Sequence, residues 1–207
     1  MRLSQATEYH EVRDALSQDW MSFFERWSLL PILVPNGTST PNQYYQDFKI
    51  DALILTGGED LNQVSEAAKK RKKTEECLLY EAIKRRIPVL GVCRGMHLIN
   101  DYFGGRLSEM ILEQGIAKHE VQHLERIGNI EPNQHFWVNS YHNYGVQLSD
   151  LSEKLQPLSL SVKGNHVESL RHESLPIIGI QWHPERENVM ASLLDQALIT
   201  EWLSLCA

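Results

Sequence analysis

The stretch from Ile87 to Asn100, Ile-Pro-Val-Leu-Gly-Val-Cys-Arg-Gly-Met-His-Leu-Ile-Asn, constrains the fold more than any other part of the chain. Val89, Leu90 and Val92 form an apolar run with Pro88 at its entrance, the composition of a central parallel strand covered on both faces. Gly91 and Gly95 bracket Cys93 two residues away on either side. That spacing predicts a nucleophile elbow, a sharp strand-to-helix turn in which any neighbouring side chain would clash. Such a turn lifts Cys93 to the carboxyl end of its strand and sets it at a helix N-terminus, where free amides and the helix dipole favour negative charge on sulfur. The competing expectation is a buried structural cysteine, a common fate of that residue type.

A buried parallel strand needs crossover partners, and the flanking sequence offers them. Val12, Leu16, Trp20, Phe23, Phe24 and Trp27 recur at three- and four-residue steps. The steps predict an amphipathic helix over 11–28 with its aromatic stripe in the core. Residues 31–35 read as a strand between two prolines, and 43–48 as a short helix beyond a Gly/Ser/Thr/Pro loop. Ala52 to Leu55 reads as a second buried strand, ending in Thr56-Gly57-Gly58-Glu59-Asp60. Adjacent glycines let the backbone approach a ligand and aim amides at an anion, although a tight turn has the same composition. The polar residues 61–73 predict a flexible connection, after which Thr74, Glu75 and Glu76 cap a helix running to Arg86. Strand, helix and strand in this order make a parallel crossover.

A helix from Gly95 to Phe103 follows, closed by Gly104 and Gly105. Beyond it, 135–138 has strand character, and 158–162 with 166–170 around Lys163-Gly164-Asn165 reads as a hairpin. Pro176 to Gln181 is another buried strand, delivering Trp182-His183-Pro184-Glu185. Val189 to Leu203 ends the chain as an amphipathic helix.

At 207 residues the chain suits one domain, 1–207, with a substantial core. A net charge of -7 argues against a nucleic-acid partner, which would need a concentrated basic face. The one basic run, Lys69 to Lys73, reads as five solvated charges rather than a phosphate patch. The chain's three cysteines show no metal-knuckle or disulfide spacing, which points to a reducing cytoplasm. No stretch approaches the roughly 20 apolar residues of a membrane span, and no secretion signal is evident. Nothing in the sequence sets an oligomeric state.

Ligands of open α/β sheets bind outside the carboxyl ends of the strands. Here those ends carry Gly57-Gly58, Cys93, and His183 with Glu185. A thiol needs a base or an imidazolium to become an effective nucleophile, and His183 is the best-placed candidate. Glu185 could hold the other ring nitrogen, with Pro184 limiting the backbone between them. A metal site at His119 and His123, four residues apart, lacks further ligands.

Gly91-Val-Cys-Arg-Gly95, Thr56-Gly-Gly-Glu-Asp60, Asn139-Ser-Tyr-His-Asn143 and Gly179-Ile-Gln-Trp-His-Pro-Glu185 together resemble the signatures of class I glutamine amidotransferase-like enzymes. More narrowly the chain is similar to their stand-alone, peptidase C26-like γ-glutamyl hydrolase branch. The opening Val12-Arg-Asp-Ala-Leu16 and Leu30-Pro-Ile-Leu-Val-Pro-Asn36 share that likeness, so it covers nearly the whole chain. The resemblance implies a flavodoxin-like three-layer α/β/α sandwich with a mostly parallel central sheet. It implies Cys93 as nucleophile, His183 as general base and acid, and Glu185 as orienting carboxylate. The amides of Gly58 and Arg94 would form the oxyanion hole, and no cofactor or metal would be needed. The partner is a small γ-glutamyl compound, cleaved through a thioester to release glutamate.

In glutaminase domains that feed a synthase, the fourth residue after the nucleophile is typically glutamine. Here it is His97, which weakens the reading of a synthase-bound glutaminase. Arg94 fits the stand-alone hydrolases and could pair with a carboxylate or phosphate. The expected substrate-binding set is Gly57, Glu59, Arg94, His97, Ser140, Tyr141 and His142. One specialised activity of small hydrolases of this type cleaves γ-glutamyl-CDP-amidate in capsule phosphoramidate synthesis. Arg94, His97 and the basic run would then read the phosphorylated leaving group. A non-enzymatic sensor on the same fold would be expected to lack a triad member, and all three are present.

Overall fold

The apolar run before Cys93 forms the strand that its composition predicts, and the computed structural model builds outward from it. Residues 1–6, 8, 11–109, 118–186 and 192–206 are described. In chain order, β1 (Arg2–Ala6) and β2 (Glu11–Ala15) pair as an antiparallel ribbon. Then come α1 (Asp19–Arg26), a 3-10 turn at Pro41–Gln43, the single-turn α2 (Tyr44–Asp47) and β3 (Leu53–Leu55). The long α3 (Glu66–Arg85) leads to β4 (Val89–Val92), α4 (Arg94–Tyr102) and the short β5 (Ser108–Glu109). The second half supplies β6 (Lys118–His123), β7 (His135–Asn139), β8 (Tyr144–Gln147), β9 (Leu155–Ser161), β10 (His166–His172) and β11 (Ile177–Ile180). The last element is α5 (Leu193–Ser204). Val189, placed in this helix by the sequence, lies outside the described residues.

One sheet of described strands runs β3-β4-β11-β10-β9-β6-β7, with β8 beside β10 and β5 beside β8. Alternation along β4 and β11 assigns the two faces. Leu90, Val92, Ile178 and Ile180 cluster with Trp20, Phe23 and Phe24 of α1 and Leu194, Leu198 and Trp202 of α5. Val89 and Ile177 cluster with Leu78, Leu79 and Ala82 of α3 and Met96, Leu98 and Ile99 of α4. The three layers of an α/β/α sandwich follow directly. Each fully buried Leu, Ile or Val on these faces contributes about 1.5–3 kcal/mol, and truncating one in the β4–β11 centre weakens both layers.

Only β3, β4 and β11 are parallel to one another; the remaining pairs of the sheet are antiparallel. The expected mostly parallel sheet is therefore a mixed one. A parallel pair needs a crossover of a dozen or more residues, whereas antiparallel neighbours accept a tight turn. Residues 162–165 and 173–176 connect β9, β10 and β11, too few for a crossover.

Three local expectations are also revised. The helix foreseen over 11–28 begins only at Asp19, because Glu11–Ala15 hydrogen-bonds to Arg2–Ala6 and leaves Val12 56% exposed. Tertiary pairing overrides a helical period there, while Trp20, Phe23 and Phe24 are buried as their spacing predicts. Residues 31–35 form no strand, since Pro31 and Pro35 each lack a ladder donor. Finally, α3 starts at Glu66 rather than near Thr74. Ser65 caps it, accepting from the Ala68 amide at 3.1 Å, and Thr74 instead accepts from the Gly37 amide at 3.0 Å. The basic run thus lies on a helix, with Arg71 wholly buried rather than solvated.

Candidate active site

Cys93 joins β4 to α4 with φ 53° and ψ −108°, a region that non-glycine residues rarely occupy. Conformations of this kind cost about 1–3 kcal/mol and persist only where surrounding structure enforces them. Here the enforcement is visible: the Cys93 amide donates to Ile180 O at 2.7 Å, and its carbonyl accepts from the His97 amide at 3.1 Å. A side chain at Gly95 would overlap the Leu55 carbonyl, and one at Gly91 would lie 2.7 Å from the Gly95 carbonyl carbon. Both glycines are required because α4 crosses β3 and β4 with no room for a Cβ.

β11 pairs in register with β4, Ile180 against Val92, so the residues beyond each strand emerge side by side. His183 and Glu185 follow on this edge. His183 Nδ1 donates to Glu185 Oε1 at 2.7 Å, and both side chains are nearly inaccessible to solvent. Asn139, at the end of β7, holds His183 in place: its amide donates to His183 O and accepts from His183 N, both at 2.9 Å. Burial alone would lower the His183 pKa. Contacts with the Cys93 thiol and with Glu185 outweigh that and raise it to about 9. The imidazole is therefore protonated at neutral pH between its sulfur and carboxylate partners.

The glycine loop after β3 closes the third side. A Cβ on Gly57 would stand 2.8 Å from His183 Cε1 and 3.5 Å from Cys93 Cβ, so only glycine brings this backbone against both. Gly58 has φ 154° and abuts the Arg71 guanidinium. Arg71 fastens the loop from beneath. Its Nη2 donates to the carbonyls of Thr56 and Gly57 at 3.0 and 3.1 Å, its Nη1 to Glu59 at 2.8 Å, and its Nε to Glu75 at 2.7 Å. Burial would raise the Glu59 carboxyl pKa, but Arg71 and the Leu3 amide hold it below the ordinary value. Above these groups opens a cavity of about 290 Å³ lined by Arg2, Ser17, Trp20, Gly57, Gly58, Cys93, Tyr141, His183, Glu185 and Arg186. A larger space of about 420 Å³ lies apart from this chemistry, between the 28–34 and 49–56 segments and α5.

Cys93, His183, Glu185, Gly57, Gly58 and Tyr141 therefore meet at one cleft. The Arg94 amide, as the first of α4, has no helical acceptor of its own. Five side chains expected at substrate turn elsewhere. Arg94 is ion-paired to Glu75 in the interior, and Glu59 is turned to Arg71. His97 is buried against Gln181, Nε2 donating to Oε1 at 2.7 Å, with burial pushing its pKa down to about 4. His142 donates from Nδ1 to Tyr144 O at 3.0 Å and is likewise held near 4 by burial. Ser140 is buried beside it, Oγ 3.4 Å from Nε2. The reason is common to all: on these short segments the side chain that would face the cleft finds a buried partner first. The sequence offered no sign of Arg2 or Arg186 at the cleft, and it showed Asn139 only within a motif and Arg71 only within the basic run. An arginine four residues before a glutamate, as Arg71 stands before Glu75, was the available signal for the buried pair. His119 and His123 lie on a strand. Among the described residues no group of three or more His, Cys, Asp or Glu could hold a metal ion. No described helix is long and apolar enough to cross a membrane.

A cysteine at a strained turn beside a His-Glu pair, on the central parallel strands of an α/β/α sandwich, is the arrangement of the glutamine amidotransferase-like class. The crystal structure of a glutamine amidotransferase from Thermotoga maritima superposes with a TM-score of 0.58 at 16% identity, covering 90% of this chain and 86% of that one, a likeness of fold. Within that class the chain belongs to the peptidase C26 family, whose model matches residues 1–185. It is 35% identical over 204 residues to the γ-glutamyl-CDP-amidate hydrolase of Campylobacter jejuni subsp. jejuni serotype O:2, covering 95% of this chain and 92% of that protein. It is 28% identical over 206 residues to the γ-glutamyl-γ-aminobutyrate hydrolase of Escherichia coli O157:H7, covering 83% and 80%.

Proposed function

We propose that the protein is a cysteine-dependent hydrolase of γ-glutamyl amides, and that its leaving group is a nucleotide phosphoramidate. The observation that carries the reaction is the convergence of Cys93 at its strained turn, the His183–Glu185 pair and the Gly57-Gly58 backbone on one cavity. The Campylobacter relative supports the leaving group. One catalytic domain spanning the chain is supported by the single sheet that both cores share.

The Cys93 sulfur, its proton held by His183, attacks the γ-carbonyl. The amides of Gly58 and Arg94 meet the resulting oxyanion, a donor of this kind contributing about 2.7–4 kcal/mol to the transition state. As the carbon–nitrogen bond breaks, His183 gives its proton to the departing nitrogen and a γ-glutamyl thioester remains. Water, deprotonated by the now neutral His183, attacks that thioester and releases glutamate and the thiolate. Glu185 keeps the imidazole in one orientation and stabilises its charged form throughout.

The test is glutamate release from γ-glutamyl-CDP-amidate beside γ-glutamyl-γ-aminobutyrate, with mass-spectrometric trapping of the acyl group on Cys93. Cys93→Ala is expected to abolish turnover with the fold intact; retained turnover rules the mechanism out. Faster cleavage of the aminobutyrate compound removes the nucleotide version and leaves the hydrolase.

A further inference from the structure

The cavity carries positive charge that the proposed chemistry does not use. Its charged lining consists of Arg2, Arg186, Glu185 and His183. Glu185 is committed to His183 at 2.7 Å, and Arg186 Nε stands 3.9 Å from the same carboxylate oxygen. The Arg186 guanidinium lies 4.3 Å over the Tyr141 ring, and Tyr141 in turn meets the His183 ring edge-on at 5.7 Å. That stacking holds the guanidinium at the cavity wall, where among the described residues its one ion pair is the 3.9 Å contact with Glu185. Arg2 enters from the other wall. It is exposed, has no ion-pair partner among the described residues, and its Cβ would lie 3.0 Å from a Cβ on Gly58. Both arginines stand in a chain of net charge -7, so their convergence on the cleft runs against the overall balance. A guanidinium offers a planar fork of donors matched to phosphate oxygens and stays charged at any physiological pH.

We propose that Arg2 and Arg186 form a phosphate-binding subsite for the group leaving the γ-glutamyl carbonyl, selecting a nucleoside diphosphate amidate over an uncharged or carboxylate-bearing amine. The inference rests on the hydrolase reading and adds residues to it. It also replaces Arg94 in that role, because Arg94 is already neutralised by Glu75 away from the cleft. The phosphates take no part in bond making. They are gripped on the far side of the scissile nitrogen, which orients the carbonyl toward Cys93.

The test measures kcat/KM for γ-glutamyl-CDP-amidate and γ-glutamyl-γ-aminobutyrate in the full chain, in Arg2→Ala, in Arg186→Ala and in the double variant, with inorganic pyrophosphate as a competing probe. Each single change is expected to cost roughly 10- to 100-fold on the phosphorylated substrate, the loss of a charge-assisted contact. The loss on the aminobutyrate substrate should be at least tenfold smaller. Pyrophosphate should compete with the wild type and not with the double variant. Arg2→Lys and Arg186→Lys keep the charge without the fork and should fall between, which separates recognition from misfolding. Lys84→Ala, at the far end of α3, should shift neither rate. Equal losses on both substrates, or pyrophosphate competition surviving in the double variant, overturn the subsite and leave the hydrolase standing. A wild-type chain that releases glutamate from neither compound fails the hydrolase reading itself, and the subsite with it.

Discussion

Two buried polar regions flank Cys93, and they are built on opposite terms. On the β3 side Arg71, Glu59, Glu75 and Arg94 form a charged lattice in which every nitrogen of Arg71 is committed and two bonds end on the loop carbonyls of Thr56 and Gly57. On the β10–β11 side His97, His119, His142, Gln181 and Glu168 lie together with loose ends, and burial pushes His97 and His142 toward their neutral forms. Glu168 is wholly buried, and His119 Nε2 comes within 3.0 Å of its Oε1 without hydrogen-bond alignment. Buried ion pairs that are fully hydrogen-bonded hold geometry, and removing one partner leaves an uncompensated charge. Neutral buried histidines hold geometry only while they stay neutral. The charged lattice should therefore govern the precision of the glycine loop, and the histidine cluster the pH range of the fold.

The largest expected effect tests the lattice. Arg71→Met should destabilise the protein by about 3–5 kcal/mol, the range for stripping one partner from a buried pair. Urea unfolding reads this. Where the variant remains folded, kcat should drop more than KM rises, because in the proposed mechanism the loop meets charge that develops only in the transition state. Arg71→Lys retains charge but not the fork onto both carbonyls, and should recover stability better than kcat. Equal recovery of both would reduce Arg71 to a structural ion pair.

A smaller effect, of distinct sign on each side of neutrality, tests the histidines. His97 and His142 sit near 4, below their ordinary 6.5, so the stability they contribute is complete above about pH 6.5 and is lost as pH falls toward 4. His183 is raised to about 9, so its contribution is complete below about pH 6.5 and is lost as pH climbs through 9. Denaturation midpoints from pH 4 to 9.5 should show both flanks. His97→Gln should flatten part of the acid flank and leave the alkaline one, the remainder of the acid flank belonging to His142, and His183→Gln should flatten the alkaline flank alone. An acid flank unchanged when His97→Gln and His142→Gln are combined would mean that the carboxylates of the lattice set it instead.

The smallest effect is expected at Glu168→Gln. A carboxylate buried without aligned donors carries a desolvation cost that nothing around it fully offsets, so the neutral amide should leave stability unchanged or raise it by about 1 kcal/mol. A loss as large as that of Arg71→Met would erase the contrast between the two regions.

The residues legible before any coordinates were those whose type and spacing are dictated by backbone contact. Gly91 and Gly95 had to be glycine because α4 crosses β3 and β4 at that point, and their spacing marked the turn at Cys93. The alternation of β4 and β11 and the aromatic stripe of α1 were equally visible. Arg71 and Arg94 were not. Arg71 sits in a basic run that looks solvated in one dimension, Arg94 follows the elbow cysteine where a cleft-facing role is the natural reading, and the inward orientation of each depends on a carboxylate 4 or 19 residues away. The ribbon of β1 and β2 was hidden for a similar reason: a three- and four-residue apolar step favours a helix until a partner strand supplies the ladder.

By itself the sequence determined the elements whose causes are local: the turn at Cys93, the neighbouring buried strands, the helix stop at Gly104, and the family to which four short motifs point. Only the tertiary structure decided which charges line the cleft. Burial is a property of what packs above a residue, and a guanidinium with two carboxylates beneath it is removed from the cleft as surely as Arg2 and Arg186, at the cavity wall, are left within it.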